Sequence, residues 1–212
     1  VGLVVSLSGG LPLLSLVLVM VATIILGMGV PTTVAYIIVA AVVIPALKSM
    51  GFDTLPAHMF AFYFAVISMI TPPVAPAALA AAQLGGAEFF QTGFAACRLA
   101  VVAFIVPFMF IYSPELLLVG SPPAIVLATL TACAGVIAVS LGMFGWYREK
   151  LSPLPRILFG VGGVLLIKPG WITDAIGVVL LGLGAFLVHR SQIALQPLRQ
   201  ASPLPGNPEK PE

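Results

Sequence analysis

Charge is confined to a few short stretches of this chain. No Asp, Glu, Lys or Arg occurs from Val1 to Leu47, Thr54 to Ala87, Leu99 to Pro114, Leu116 to Tyr147 or Ala175 to Val188. A charge at mid-bilayer costs roughly 2.5–3.5 kcal/mol on insertion scales. Runs this long, separated by brief charged or Pro/Gly-rich breaks, are what repeated membrane crossing selects. Composition agrees: 60% of residues are hydrophobic and 8% charged, with mean hydropathy +1.17, whereas soluble domains carry about 25% charged residues and do not tolerate the apolar patches this chain would expose. The expected fold class is an all-α integral membrane protein.

Other classes are excluded by what the charges and cysteines do not do. A net charge of +2 with scattered basic residues gives no stripe for a nucleic acid. Cys97 and Cys133 lie in apolar segments and read as reduced core residues. No Ser/His/Asp set, metal-ligand spacing or phosphate loop marks an enzyme, and no cofactor is expected. The chain begins at Val1 in mid-hydrophobic text without a signal peptide, and reads as a C-terminal piece of a longer protein.

A helical span needs about 20 apolar residues. Candidates are 11–27, 32–47, 58–84, 92–112, 122–147 and 155–188, and their irregularities carry the information. Gly27-Met28-Gly29-Val30-Pro31-Thr32-Thr33 joins the first two without a charge. Such a join predicts a turn inside the membrane, a re-entrant hairpin over 11–47. Ser68-Met69-Ile70-Thr71-Pro72-Pro73-Val74-Ala75-Pro76 interrupts the third. Its prolines remove backbone donors and restrict the residues before them, so 58–84 is expected as two half-helices with an unwound link. A single span over 92–112 carries Arg98 near its start and Pro107 inside. Lys168-Pro169-Gly170 divides the last stretch, leaving a second hairpin and two short spans as alternatives. Asp174 and Lys168 are spaced for a local pair, His58 and His189 lie at span ends, and the Pro-rich polar tail 192–212 reads as disordered.

Arg148, Lys150 and Arg156 make the densest positive loop, which places it in the cytoplasm by the positive-inside rule. Alternation then puts 113–122 and 48–57 in the periplasm, 85–91 in the cytoplasm, and both ends of the first hairpin on the periplasmic side.

The two broken elements are the candidate site. Discontinuous helices near the midplane are the main sequence pointer to a transporter site. Half-helix N-termini offer N–H groups and a positive dipole end to an anion. Unwound carbonyls and the hydroxyls of Thr32, Thr33, Ser68 and Thr71 are hard oxygen ligands suited to Na⁺. The other reading of both clusters is a structural kink, since Gly and Pro are common in membrane helices. Arg98 is either an interfacial residue that snorkels or an inward partner for a carboxylate.

At residues 25–36 (ILGMGVPTTVAY), 70–75 (ITPPVA), 94–99 (FAACRL) and 104–110 (FIVPFMF), the chain resembles the large membrane subunit of tripartite ATP-independent periplasmic (TRAP) transporters, in the fused variant that works with TAXI-type binding proteins. The resemblance covers roughly residues 14–118. It implies one repeat of an inverted-repeat elevator transporter over 1–118, a membrane extension over 119–191 and the tail. It further implies Na⁺-coupled import of an organic anion, a carboxylate in most of the family, across the bacterial inner membrane. The implied partners are a periplasmic TAXI-type binding protein and the N-terminal remainder of the permease. Gly27, Met28, Gly29, Val30, Pro31, Thr32 and Thr33 with Ser68, Thr71, Pro72, Pro73 and Val74 would form about half of the ion and substrate site, with Na⁺ on Thr32, Thr33, Ser68 and Thr71. Another Na⁺-coupled carboxylate carrier of similar architecture, or a non-transporting channel or scaffold subunit, are the alternatives.

Overall fold

The computed structural model describes residues 11–147, 149–168 and 170–201, with only the backbone path at 149–150 and 191–201. Arg148, Pro169 and 202–212, part of the tail expected to be disordered, lie outside the described residues.

The first two helices, α1 (Pro12–Gly27) and α2 (Thr32–Ser49), form the expected hairpin. Their connection turns at Gly29, whose φ of +75° suits a residue without Cβ, and at Pro31, whose extended backbone leads into α2. The arms have 16 and 18 residues. At about 1.5 Å per residue these are about 24 and 27 Å long; α2 is long and apolar enough to cross a membrane, whereas α1 is shorter than a span needs.

The third candidate is broken as expected, into α3 (Thr54–Ile67) and α4 (Pro76–Gly85). The first half starts at Thr54, ahead of the expected 58. In the link the helix decays through tight turns, Met69 N–H to Val66 O and Thr71 N–H to Ser68 O, before the cis Pro72–Pro73 bond. Ala75 sits at φ +36°, and Ala77 N–H donates back to Met69 O at 3.0 Å, stitching the two sides of the link together.

The segment expected as one span over 92–112 departs from that reading. It forms α5 (Phe89–Leu99) and α6 (Val101–Tyr112), bent by 44° at Ala100. Glu88 caps α5, its carboxylate accepting from Phe90 and Gln91 N–H at 2.9 and 2.7 Å. Pro107 lies within α6 and is not the break. The cause is packing: α5 follows the unwound link, with Gly93 against Pro72 and Cys97 Sγ 3.6 Å from Ile70 O. By contrast α6 follows α3, Phe104 and Phe108 stacking edge-on or tilted against Phe60 and Phe64. One helix with two docking partners bends between them. Phe60 and Phe64 are fully buried at the centre of a core that takes Leu16 and Val19 from α1 and Val39, Val43 and Leu47 from α2.

A 3₁₀ turn (Pro114–Leu117) leads to α7 (Pro122–Phe144), followed by a two-residue strand pair (β1 Trp146–Tyr147, β2 Glu149–Lys150) and α8 (Pro153–Ile167) and α9 (Trp171–Ala201). Glycines let these helices touch backbone to backbone. A Cβ on Gly135 would lie 2.6 Å from Gly163 O, one on Gly142 2.7 Å from Arg156 O, and one on Gly177 3.0 Å from Gly162 O. This is the small-residue packing of membrane helices. The contacts run in opposite residue order, so α7, α8 and α9 are successively antiparallel. Gly170, Trp171 and Asp174 share a cavity with Ser113, Glu115 and Ala124. Gly170 and Trp171 therefore lie at the level at which α7 begins. Of the two helices in this stretch only α9 is long and apolar enough to cross a membrane; α8, with 15 residues, is shorter than a span needs. Asp174 does not pair with the exposed Lys168; its Oδ1 is buried without a hydrogen-bond partner. The backbone of α9 stays helical to Ala201, past the start of the tail at 192.

Among the described residues three helices are long and apolar enough to cross a membrane, or four if α5 and α6 count as one bent span. The chain is a multi-pass α-helical membrane protein.

Candidate functional site

The hairpin tip and the unwound link meet. A Cβ on Gly27, the last residue of α1, would lie 2.6 Å from Ser68 Oγ and 3.1 Å from Ser68 Cβ. One on Gly29 would lie 3.3 Å from Val74 Cγ1. Two segments separated by forty residues of sequence thus come to van der Waals distance, and glycine is what allows it.

Ser68 is fully buried, and its hydroxyl donates to Ala65 O at 2.7 Å. Thr71, half-buried, donates to Ile67 O at 2.8 Å. Both hydroxyls have spent their protons on helix carbonyls, so their oxygens remain as acceptors or cation ligands. Pro72, Pro73 and Pro76 have no N–H, and the Ser68 and Met69 carbonyls accept instead from Thr71 and Ala77 N–H. Pro72 is half-buried beneath α5; Pro73 and Val74 are exposed. On the tip, Met28 and Val30 are half-buried and Pro31 is exposed.

Thr32 and Thr33 stand apart from this cluster. They open α2, Thr32 half-buried and Thr33 exposed, with no side-chain capping bond at that end of the helix. The closest tip-to-link approaches run through Gly27 and Gly29. The N-terminus of α4 at Pro76 likewise has no side-chain cap. Two helix N-termini without side-chain caps therefore flank the junction, with Ala77 N–H at the start of α4 bonded to Met69 O.

Two further polar features escaped sequence reading. Thr23, one turn before Gly27 on α1, is fully buried and its Oγ1 has no hydrogen-bond partner. A lone Thr in an apolar arm gives no sequence signal. Tyr36 Oη and His58 Nδ1 lie 2.8 Å apart, tying α2 to the start of α3. His58 is half-buried in that contact. Arg98, exposed at the end of α5, donates to Met143 O at 3.2 Å rather than to a carboxylate.

A hairpin docked on a broken helix within an apolar multi-helix bundle is the arrangement described for secondary transporters. Residues 2–125 match the tripartite ATP-independent periplasmic transporter, DctM component, and the chain belongs to that family. Neither a curated protein nor a solved structure matches it. Members of the family are transporter components, not enzymes, and work with a periplasmic binding protein and a small permease. The match ends just inside α7, so α8 and α9 lie beyond it.

Proposed function

We propose that this chain carries part of the ion and substrate site of a Na⁺-coupled importer of organic anions, carboxylates foremost, in the bacterial inner membrane. In this reading a TAXI-type periplasmic binding protein delivers the substrate, and α8 and α9 belong to the C-terminal extension of a fused permease whose remaining repeat supplies the other half of the site. The observation that carries it is the seating of Gly27 and Gly29 on Ser68 and Val74. The α1 arm is shorter than a crossing helix needs, and the tip ends against the middle of a broken helix, which is the arrangement of a re-entrant element.

Division of labour follows from chemistry. Ser68, Thr71 and the link carbonyls present oxygens without protons to a hard cation, with Thr32 and Thr33 at the margin. The N-termini of α2 and α4 present N–H groups and positive dipole ends to an anion. Neither task uses a charged side chain, so the site can change access without dragging a permanent charge through lipid. Arg148, Lys150 and Arg156 face the cytoplasm in this topology.

The test is uptake by the complete assembly with its binding protein, as a function of Na⁺. Thr71→Val keeps shape and loses one oxygen. A hydroxyl contributes about 1–2 kcal/mol, so Na⁺ for half-maximal uptake should rise about tenfold. Thr129→Val, whose hydroxyl bonds Ile125 O on the exposed face of α7, should leave it unchanged. Uptake that ignores Na⁺, or equal shifts in both variants, contradicts the reading.

A further inference from the structure

Two arginines mark a second site, at the seam between the family-matched region and the helices beyond it. Arg98 from α5 and Arg156 from α8 converge on the C-terminus of α7. Arg98 Nη2 donates to Met143 O at 3.2 Å, Arg156 Nη2 to the same oxygen at 3.3 Å, and Arg156 Nε to Gly142 O at 3.2 Å. Gly145 leaves room for the second guanidinium, since a Cβ there would lie 2.5 Å from Arg156 Nε. Among the residues whose side chains are described, no carboxylate pairs with either arginine. The negative end of the α7 dipole offsets part of their repulsion, and two cations sharing one carbonyl favour an anion between them.

The surroundings say what kind of anion fits. At 23 residues, α7 is about 34 Å long and crosses the whole hydrocarbon core, so its C-terminus emerges at the interface. Trp146 and Tyr147, 64% and 47% exposed, follow directly, as interfacial aromatics do. Below the arginines a groove of about 400 Å³ runs between α6, α7 and α8, walled by Ile105, Val139, Ile157 and Val164, with Met143 and Arg156 at one end. From Arg156 to Val164 it follows two turns of α8, about 12 Å. Ile157 and Val164 are 61% and 40% exposed, so the groove opens sideways toward lipid.

We propose that this is a binding site for one anionic phospholipid. Its phosphate sits between the guanidiniums of Arg98 and Arg156, and one acyl chain lies in the groove. Basic pockets between membrane helices hold anionic headgroups, and guanidinium forks match phosphate oxygens. A free phosphate would use the arginines and leave the groove empty; a zwitterionic lipid would fill the groove and bring a cation to the arginines. The lipid bridges α5 and α6 of the family region to α8, which otherwise meet mainly through α7. This inference does not depend on the transport reading.

The test is native mass spectrometry of the purified chain titrated with phosphatidylglycerol or phosphatidylcholine of identical acyl chains. Phosphatidylglycerol should bind at least about tenfold more tightly. Because Arg98 is exposed, Arg98→Gln leaves the fold intact and should weaken phosphatidylglycerol about fivefold, with Arg98→Lys recovering most of the loss. Val164→Trp fills the groove, keeps both arginines, and should weaken binding at least as much. Glycerol phosphate at equal concentration should not displace the lipid. Equal affinity for the two lipids, wild-type binding by Arg98→Gln or Val164→Trp, or displacement by glycerol phosphate would each overturn the proposal.

Discussion

Residues 11–112 and 122–190 both place glycine and proline among apolar residues, yet the two regions use these residues in opposite ways. In the first, Gly27, Gly29 and Pro31, and Pro72, Pro73 and Pro76, end helices and leave backbone exposed at a junction. In the second, Gly135, Gly142, Gly163 and Gly177 sit inside unbroken helices and draw them to backbone contact. A glycine that breaks a helix creates unsatisfied carbonyls and N–H groups that an ion or anion can use. A glycine within a helix keeps its hydrogen bonds and removes only bulk. In the proposed transport reading the first region binds and moves, and the second holds still.

The largest effect that sharpens this contrast is Gly135→Leu. Its side chain would enter the backbone of α8 at Gly163 O, which no rotamer avoids. We expect a loss at the upper end of the roughly 1–3 kcal/mol typical of overpacking, or more. Thermal unfolding in detergent followed by circular dichroism would check it, and an unchanged Tm would dissolve the claim that α7 and α8 are glycine-packed. Next is Gly29→Ala, which meets both a φ of +75° and Val74 Cγ1. It should cost about 1–2 kcal/mol in the same assay and depress uptake by the assembled transporter further than the stability loss explains.

The smallest effect lies at Gly182, where a Cβ would meet nothing within 4 Å. Gly182→Ala should be neutral or stabilising by up to about 1 kcal/mol, from helix propensity alone. Destabilisation there would mean that glycine in α9 serves an unseen contact and that the two regions differ less than described.

The parts of this architecture legible from sequence were those where local chemistry overrides packing. A charge-free run of Gly, Pro and Thr cannot continue a helix anywhere, so the tip at Gly27–Thr33 and the link at Ser68–Pro76 were readable at once. The bend at Ala100 was not, because neither Gly nor Pro marks it; it arises from α5 and α6 docking on different partners. Pro107 pointed to an irregularity in a helix that absorbs it. The hydroxyls divided in the same way. Ser68 and Thr71 lie in the link because the link contains them, but whether Thr32 and Thr33 approach it depends on how the hairpin is rotated, and Gly27 and Gly29 take that place. The convergence of Arg98 and Arg156, 58 positions apart in the chain, and the buried, unpartnered Thr23 leave no sequence trace because each depends on interhelical distance alone.

The central claim is that the hairpin tip docks on the unwound link through glycine. A double-mutant cycle between Gly27 and Ser68 measures it on this chain without requiring transport. Gly27→Ala places a methyl 2.6 Å from Ser68 Oγ and should lower stability by about 1–3 kcal/mol. Ser68→Gly removes both atoms in the way, together with one hydrogen bond to Ala65 O, and alone should cost about 1–2 kcal/mol. If tip and link touch, the double variant is more stable than the sum of the single losses predicts, with a coupling of about 0.5–3 kcal/mol. Strict additivity, with Gly27→Ala equally damaging whether residue 68 is Ser or Gly, would contradict the docking and the site built upon it.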